Sequence, residues 1–145
     1  MAIFSKTCEY GIRAVFFIAH TSANGRRIGI KEIAAGIDSP EFFLAKILQD
    51  LSRKGIINSI KGPNGGFYIS SENLKRPISD IVEAIDGNGL FRGCALGLKQ
   101  CSEVNPCPLH DEFKAIRTRI YDMLRGINID QFNQELLSGI LSLKK

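Results

Sequence analysis

The chain has no tryptophan, only two histidines (His20 and His110) and no Cys-x-x-C pair among its four cysteines. Two histidines leave few general bases, and there is no Ser/His/Asp arrangement and no phosphate-cradling glycine loop, so an enzyme is not expected. The missing Cys-x-x-C pair argues against a thioredoxin-type dithiol and against the close cysteine pairs usual in structural zinc sites. No long apolar run is present: Ala14 to Ala19 is far too short to span a bilayer. No positively charged region leads into an apolar stretch near Met1, so a cytoplasmic protein with no membrane partner is expected. Internal repeats and low-complexity stretches are also absent. A chain of 145 residues is one domain, or one domain with an appendage, and can bury a core without disulfides.

What is present divides the chain in two. Residues 1–76 carry 11 Lys/Arg against 6 Asp/Glu, whereas residues 77–145 carry 8 against 9. A basic front and a near-neutral back suit a nucleic-acid reader joined to a sensing or pairing element.

The front half reads as helices followed by a hairpin. Ser5 to His20 has Cys8, Ile12, Val15, Phe16 and Ala19 at helical spacing, and Thr21 to Gly25 ends it. Arg26 to Ile30 is a short extended piece, and Lys31 to Gly36 gives one or two helical turns. Asp38-Ser39-Pro40 restarts a helix, with Ser39 as the expected N-cap and Pro40 as the first helical residue. Phe43, Leu44, Ile47, Leu48 and Leu51 then form one apolar face. Ile56 to Ile60 and Phe67 to Ser70 read as strands about the turn sequence KGPNGG. A helix-turn-helix followed by a hairpin is the layout of a winged helix. On that layout Glu41, Phe42 and Lys46 face the major groove, with Ser39 just before them. Lys61, Asn64, Gly65 and Gly66 serve the wing, and Arg26, Arg27 and Lys31 face phosphates.

The back half holds a helix at Pro77 to Asp86, with Ser79 as its expected cap, and an irregular segment from Gly87 to Pro106. A long helix is expected to begin at Asn105-Pro106. Its apolar positions Leu109, Phe113, Ile116, Ile120, Met123 and Ile127 recur in steps of 3 and 4, a heptad-like stripe that calls for a partner surface. Phe113, Ile116, Ile120, Met123 and Ile127 are therefore the residues expected to meet that partner, which the resemblance described below makes a second copy of the chain. Asp130 is expected to cap a last short helix.

Between these elements, Cys94, Cys101, Cys107 and His110 fall within the seventeen residues CALGLKQCSEVNPCPLH. Three thiolates and an imidazole are enough to hold a zinc ion or an iron–sulfur cluster. Cys107 is expected in the first turn of the long helix, sharing a face with His110. Arg92 is a candidate to offset thiolate charge. The bland alternative is reduced thiols acting as small apolar residues or as disulfide switches. Cys8, on an apolar helix face, reads as a core residue.

LSRKGIINSIKGPNGGFYI (Leu51 to Ile69) and the three-cysteine loop after SDIVEAIDG together resemble the IscR/NsrR-type family of bacterial winged-helix regulators, from about Phe4 to about Leu141. The resemblance implies a mainly α fold with a β-hairpin wing and a long dimerisation helix. It implies a homodimer on a palindromic operator in double-stranded DNA, and a [2Fe-2S] or [4Fe-4S] cluster on the three cysteines. His110 stands where the iron–sulfur biogenesis regulators have a histidine ligand. Glu9 aligns with an aspartate that completes the cluster from the partner subunit in nitric-oxide-sensing members, so either residue can be the fourth ligand. The first cysteine gap has six residues where the biogenesis regulator has five, and Ala45 replaces a glutamate involved in operator choice. The expected units are a winged-helix DNA-binding domain at 1–76, a linking helix and cluster loop at 77–105, and a dimerisation segment at 106–145. The expected activity is regulation of transcription by cluster state. A cluster-free thiol-responsive regulator and a zinc-stabilised one are the alternatives.

Overall fold

The computed structural model describes residues 3–144, so the outer ends of the expected 1–76 and 106–145 units lie outside the described residues. Helix α1, Lys6–Thr21, opens on Ser5, whose Oγ accepts the Cys8 amide at 3.0 Å and so satisfies one of the free N–H groups of the first turn. It buries Cys8, Gly11, Ala14, Val15, Ile18 and Ala19 on one face. Helix α2, Ile30–Ile37, stops at Asp38, the described non-glycine residue with positive φ (57°). Helix α3, Glu41–Arg53, follows at once, giving the expected helix-turn-helix.

The cap of α3 differs from the sequence expectation. Pro40, extended at φ −61° and ψ 132°, holds the N-cap position, and its carbonyl accepts the Leu44 amide at 3.1 Å. Ser39 is not the cap because its backbone belongs to the previous helix: its N–H closes α2 on the Ala34 carbonyl at 3.0 Å.

The wing is the antiparallel pair β1, Asn58–Ile60, and β2, Gly66–Tyr68, with Ser59 opposite Phe67. The strands are shorter than expected because the Ile56 amide still bonds the Leu51 carbonyl at the end of α3, at 3.0 Å, and Ser70 already caps the following helical turn. Ile28 adds a third, one-residue rung, exchanging hydrogen bonds with Phe67 at 2.9 and 2.8 Å.

A single turn, α4 (Ser71–Leu74), leads to α5, Ile78–Asp86. Ser79 does not cap α5; Pro77 holds the N-cap position, and Ser79 is buried inside the helix. After another single turn, α6 (Gly89–Arg92), the chain runs irregularly to α7, His110–Gly126, and then to α8, Asn133–Leu137. Helix α7 starts later than expected. The Ser102 hydroxyl accepts the Val104 and Asn105 amides, folding that stretch into a local turn that competes with a helix start. Asp130 is not the cap of α8, since Phe132 holds that position. Its amide instead donates to the Leu74 carbonyl at 3.1 Å.

The core is built from the front of the chain. α1, α2, α3 and α5 pack Val15, Ile18, Ile33, Ile37, Leu44, Leu48, Leu51 and Ile81 at zero exposure. Beyond α5 only Leu124 and Ile129 join the buried apolar set among the described residues. The end of α7 is tied to the start of α5 by backbone bonds from Ile78 N–H to the Ile127 carbonyl (2.8 Å) and from Ile129 N–H to the Arg76 carbonyl (3.0 Å).

Candidate DNA-reading surface and cysteine loop

Two surfaces carry the expected chemistry. On α3, Phe42 and Phe43 point opposite ways. Phe43 turns inward and meets the Tyr10 ring edge-on at 5.6 Å, while Phe42 is 83% exposed. Lys46, one turn on, is exposed on the Phe42 side, as is Glu41 at the helix start. Between α3 and the wing lies a groove lined by Gln49, Ser52, Arg53, Ser59, Lys61 and Phe67. Ser52 and Ser59 share a hydrogen bond of 2.9 Å across it. Gln49 and Arg53 were not singled out from the sequence, although Phe42, Lys46, Gln49 and Arg53 recur at steps of 4, 3 and 4 along one polar helix face.

Of the flanking cations, Arg26 is paired with Glu32, while Arg27 and Lys31 are exposed. At the wing, Pro63 and Asn64 form the turn, with Lys61 and Asn64 exposed. Gly65 and Gly66 are half-buried at the root of the second strand, not at the tip. A Cβ on Gly65 would sit 2.0 Å from the Ile60 carbonyl oxygen, and one on Gly66 would sit 2.9 Å from that of Ile28. These glycines let three backbone strands close on one another.

The cysteine loop runs between α6 and α7. Cys94, Cys101 and Cys107 are half-buried free thiols, and His110 is buried. They come together as two pairs. Cys94 Sγ lies 3.9 Å from Cys107 Sγ, and Cys101 Sγ lies 3.3 Å from His110 Nδ1. Two sulfurs bound to one tetrahedral metal at the usual bond length stand about 3.8 Å apart, and a sulfur and an imidazole nitrogen about 3.6 Å. Each pair therefore matches the bite of one metal ion. No three His, Cys, Asp or Glu side chains converge into one metal site among the described residues. Cys107 precedes α7 rather than lying in its first turn, so it shares no helical face with His110. It reaches Cys94 through the turn in which the His110 amide bonds the Cys107 carbonyl at 3.0 Å.

The loop is electrostatically prepared for sulfur. The Cys94 thiol is held below its ordinary pKa, first by the backbone N–H groups of Leu98 and Leu96, then by the Cys107 thiol and the Arg117 guanidinium. Arg117 also donates from Nη1 to Cys101 Sγ at 3.3 Å and to the Gly93 carbonyl. Two buried nitrogens in the same site, His110 Nε2 and Arg117 Nε, have no hydrogen-bond partner. The cation at the thiols is thus Arg117, and Arg92, named from the sequence, is not among the causes that lower Cys94. Nothing in the spacing could have shown this, because Arg117 reaches back sixteen residues to Cys101.

The remaining candidates lie elsewhere. Glu9, in the first turn of α1, faces Lys6 Nζ at 3.4 Å. Cys8 is fully buried, and burial, followed by Asp86 and then Glu9, pushes its thiol up to about 12. On α7, Phe113 (41%), Ile116 (51%) and Met123 (53%) are exposed, while Ile120 and Ile127 are half-buried against the core. Phe113, Ile116 and Ile120 line a cavity of about 370 Å³ with Ile3, Leu90 and Cys94. No helix among the described residues is long and apolar enough to cross a membrane.

Known proteins share this fold. The family model Rrf2, described as an iron-dependent transcriptional regulator, matches residues 4–135. A protein of Aquifex aeolicus named as an HTH-type transcriptional regulator is 35% identical over 129 residues, covering 88% of both chains. The HTH-type transcriptional regulator IscR of Pectobacterium atrosepticum is 23% identical, covering 90% of this chain and 79% of its own. Among solved structures, CymR, the global cysteine regulator of B. subtilis, superposes with a TM-score of 0.73 at 19% identity, covering 92% of this chain and 98% of that one. IscR of T. potens gives 0.72 at 19% identity, covering 95% and 90%. These are winged-helix regulators of transcription that bind DNA, not enzymes. The chain belongs to the Rrf2 family of transcriptional regulators.

Proposed function

We propose that this regulator is a homodimer whose operator binding is set by an iron–sulfur cluster on Cys94, Cys101 and Cys107. His110 is the fourth ligand of choice, with Glu9 of the second chain as the alternative. The observation that carries the reading is the pairing of three sulfurs and one imidazole nitrogen at metal-ligand separations beside the start of α7. Two pairs suit a [2Fe-2S] cluster, in which each iron takes two protein ligands. They suit a single zinc ion less well, because zinc needs four ligands at one point. A bound cluster would supply a redox- and ligand-sensitive centre, and this chain's residues would hold it and carry its state to the reading head. On this reading residues 1–76 form the reading unit, 77–105 the sensing unit and 106–145 the pairing unit, with Phe113, Ile116, Ile120, Met123 and Ile127 facing the second chain.

On the DNA side, Glu41, Phe42 and Lys46 enter the major groove of a palindromic site, with Ser39 beside them. Lys61 and Asn64 follow the wing, with Gly65 and Gly66 shaping it, and Arg26, Arg27 and Lys31 meet phosphates.

The test is an ultraviolet–visible spectrum of protein purified without oxygen, with iron, sulfide and zinc assayed on the same sample. Visible absorption with equal iron and sulfide, two of each per chain, is the expected result. A colourless protein containing zinc, or one without metal that cannot be reconstituted, would overturn the cluster reading.

A further inference from the structure

We propose that Arg117 is a positioning residue that straps the cysteine loop to α7 and places a fixed positive charge at its sulfurs. The inference rests on the reading of the loop as the sensing site. Arg117 projects from the middle of α7 and is half-buried. One nitrogen, Nη1, serves both the Gly93 carbonyl, next to Cys94, and the Cys101 sulfur at 3.3 Å. The guanidinium therefore holds the loop at its entry, Gly93, and again eight residues on, at Cys101, with Cys94 and Lys99 between the two ties.

Besides the Cys101–His110 contact at the start of α7, the loop is tied to the helix by Lys114 to Glu103, whose side chains are 50% and 69% exposed. An exposed pair of that kind contributes little. A partly buried guanidinium bonded to a carbonyl and a sulfur contributes more. Its unpartnered buried Nε is a further donor at the same place, ready for an acceptor brought in with the loop's ligand. Lysine would keep the charge but, with a single nitrogen on a flexible stem, would not hold both ties in one geometry.

Lys99 makes the strap measurable, because it is the one Lys or Arg between Cys94 and Leu109 and is exposed. Full-length reduced, metal-free protein is treated with trypsin, and the first cut after Lys99 is timed by mass. Cleavage about tenfold faster than wild type is expected for both Arg117→Gln and Arg117→Lys, with Lys114→Gln close to wild type. Near-ultraviolet circular dichroism and melting confirm that each variant is folded. In cluster-loaded protein the midpoint potential is expected to fall in Arg117→Gln and to stay near wild type in Arg117→Lys, which keeps the charge. Equal cleavage in wild type and both Arg117 variants, or equal potentials in all three, would overturn the assignment. If wild type takes up no cluster, the proposed function fails while the cleavage rates still decide the strap.

Discussion

The winged-helix head and the cysteine-bearing half of this chain are held together by different means. The head packs α1, α2, α3 and α5 around isoleucine, leucine and valine side chains with no exposure. The segment from Gly93 to Leu109 has no helix or strand, and leaves Leu96, Leu98 and Val104 at 51%, 56% and 86% exposure. Helix α7 buries only His110 and Leu124 fully while Phe113, Ile116 and Met123 face outward. A unit that must present a fixed surface to DNA carries its own core. On the proposed function, the other unit answers to a ligand and a second chain, and its unburied apolar and polar groups are there for those partners to complete.

The contrast is broken most sharply by truncating one side chain in each half. Leu48→Ala is expected to cost about 2–5 kcal/mol in chemical denaturation, whereas Val104→Ala stays within about 0.5 kcal/mol of wild type. Comparable losses at the two sites would mean that the loop has a core of its own. Next in size, Phe113→Asp is expected to weaken self-association by roughly 30-fold, about 2 kcal/mol, in sedimentation equilibrium, with the far-ultraviolet spectrum unchanged. Cys101→Ala is expected to leave a folded dimer with operator affinity altered by roughly 5- to 150-fold relative to loaded wild type; identical affinity and sequence preference would sever sensor from reader.

A smaller effect is expected from Lys46→Ala on the reading surface. If Lys46 meets a phosphate, binding weakens equally on all sequences and the log–log salt slope falls by about 1; a base-edge contact would instead relax specificity at one position. The smallest effect near neutral pH belongs to Cys8. Its folded thiol, raised to about 12, stays neutral where the unfolded thiol ionises near 9.0. Its contribution to stability is therefore complete below that value and is lost as pH rises toward 12. Denaturation of wild type and Cys8→Ala at roughly pH 8 and 10 should show the wild type falling more steeply.

What could be read in advance follows the same division. Helical periodicity revealed α1, α3 and α5 because each has one face committed to a shared core, and the turn sequence KGPNGG revealed the wing. The four metal-type donors were legible because their residue types are rare. Three details were not legible. Ser39 has the right chemistry for a cap, but its amide is already spent on Ala34. The start of α7 depends on a local competition that Ser102 wins. Arg117 meets the loop through tertiary contacts, which no local spacing encodes.

The backbone bonds that join Ile78 to Ile127 and Ile129 to Arg76 have a mechanical consequence. They make the C-terminal end of α7 a fulcrum fixed to the head, while its other end lies at the cysteines. Seventeen helical residues form an arm about 25 Å long, so a shift of about 2 Å at the loop swings the helix by about 5°. Such a lever turns a change the size of a bond rearrangement into a change of angle, and two of them set side by side would convert it into a change of distance between the reading heads.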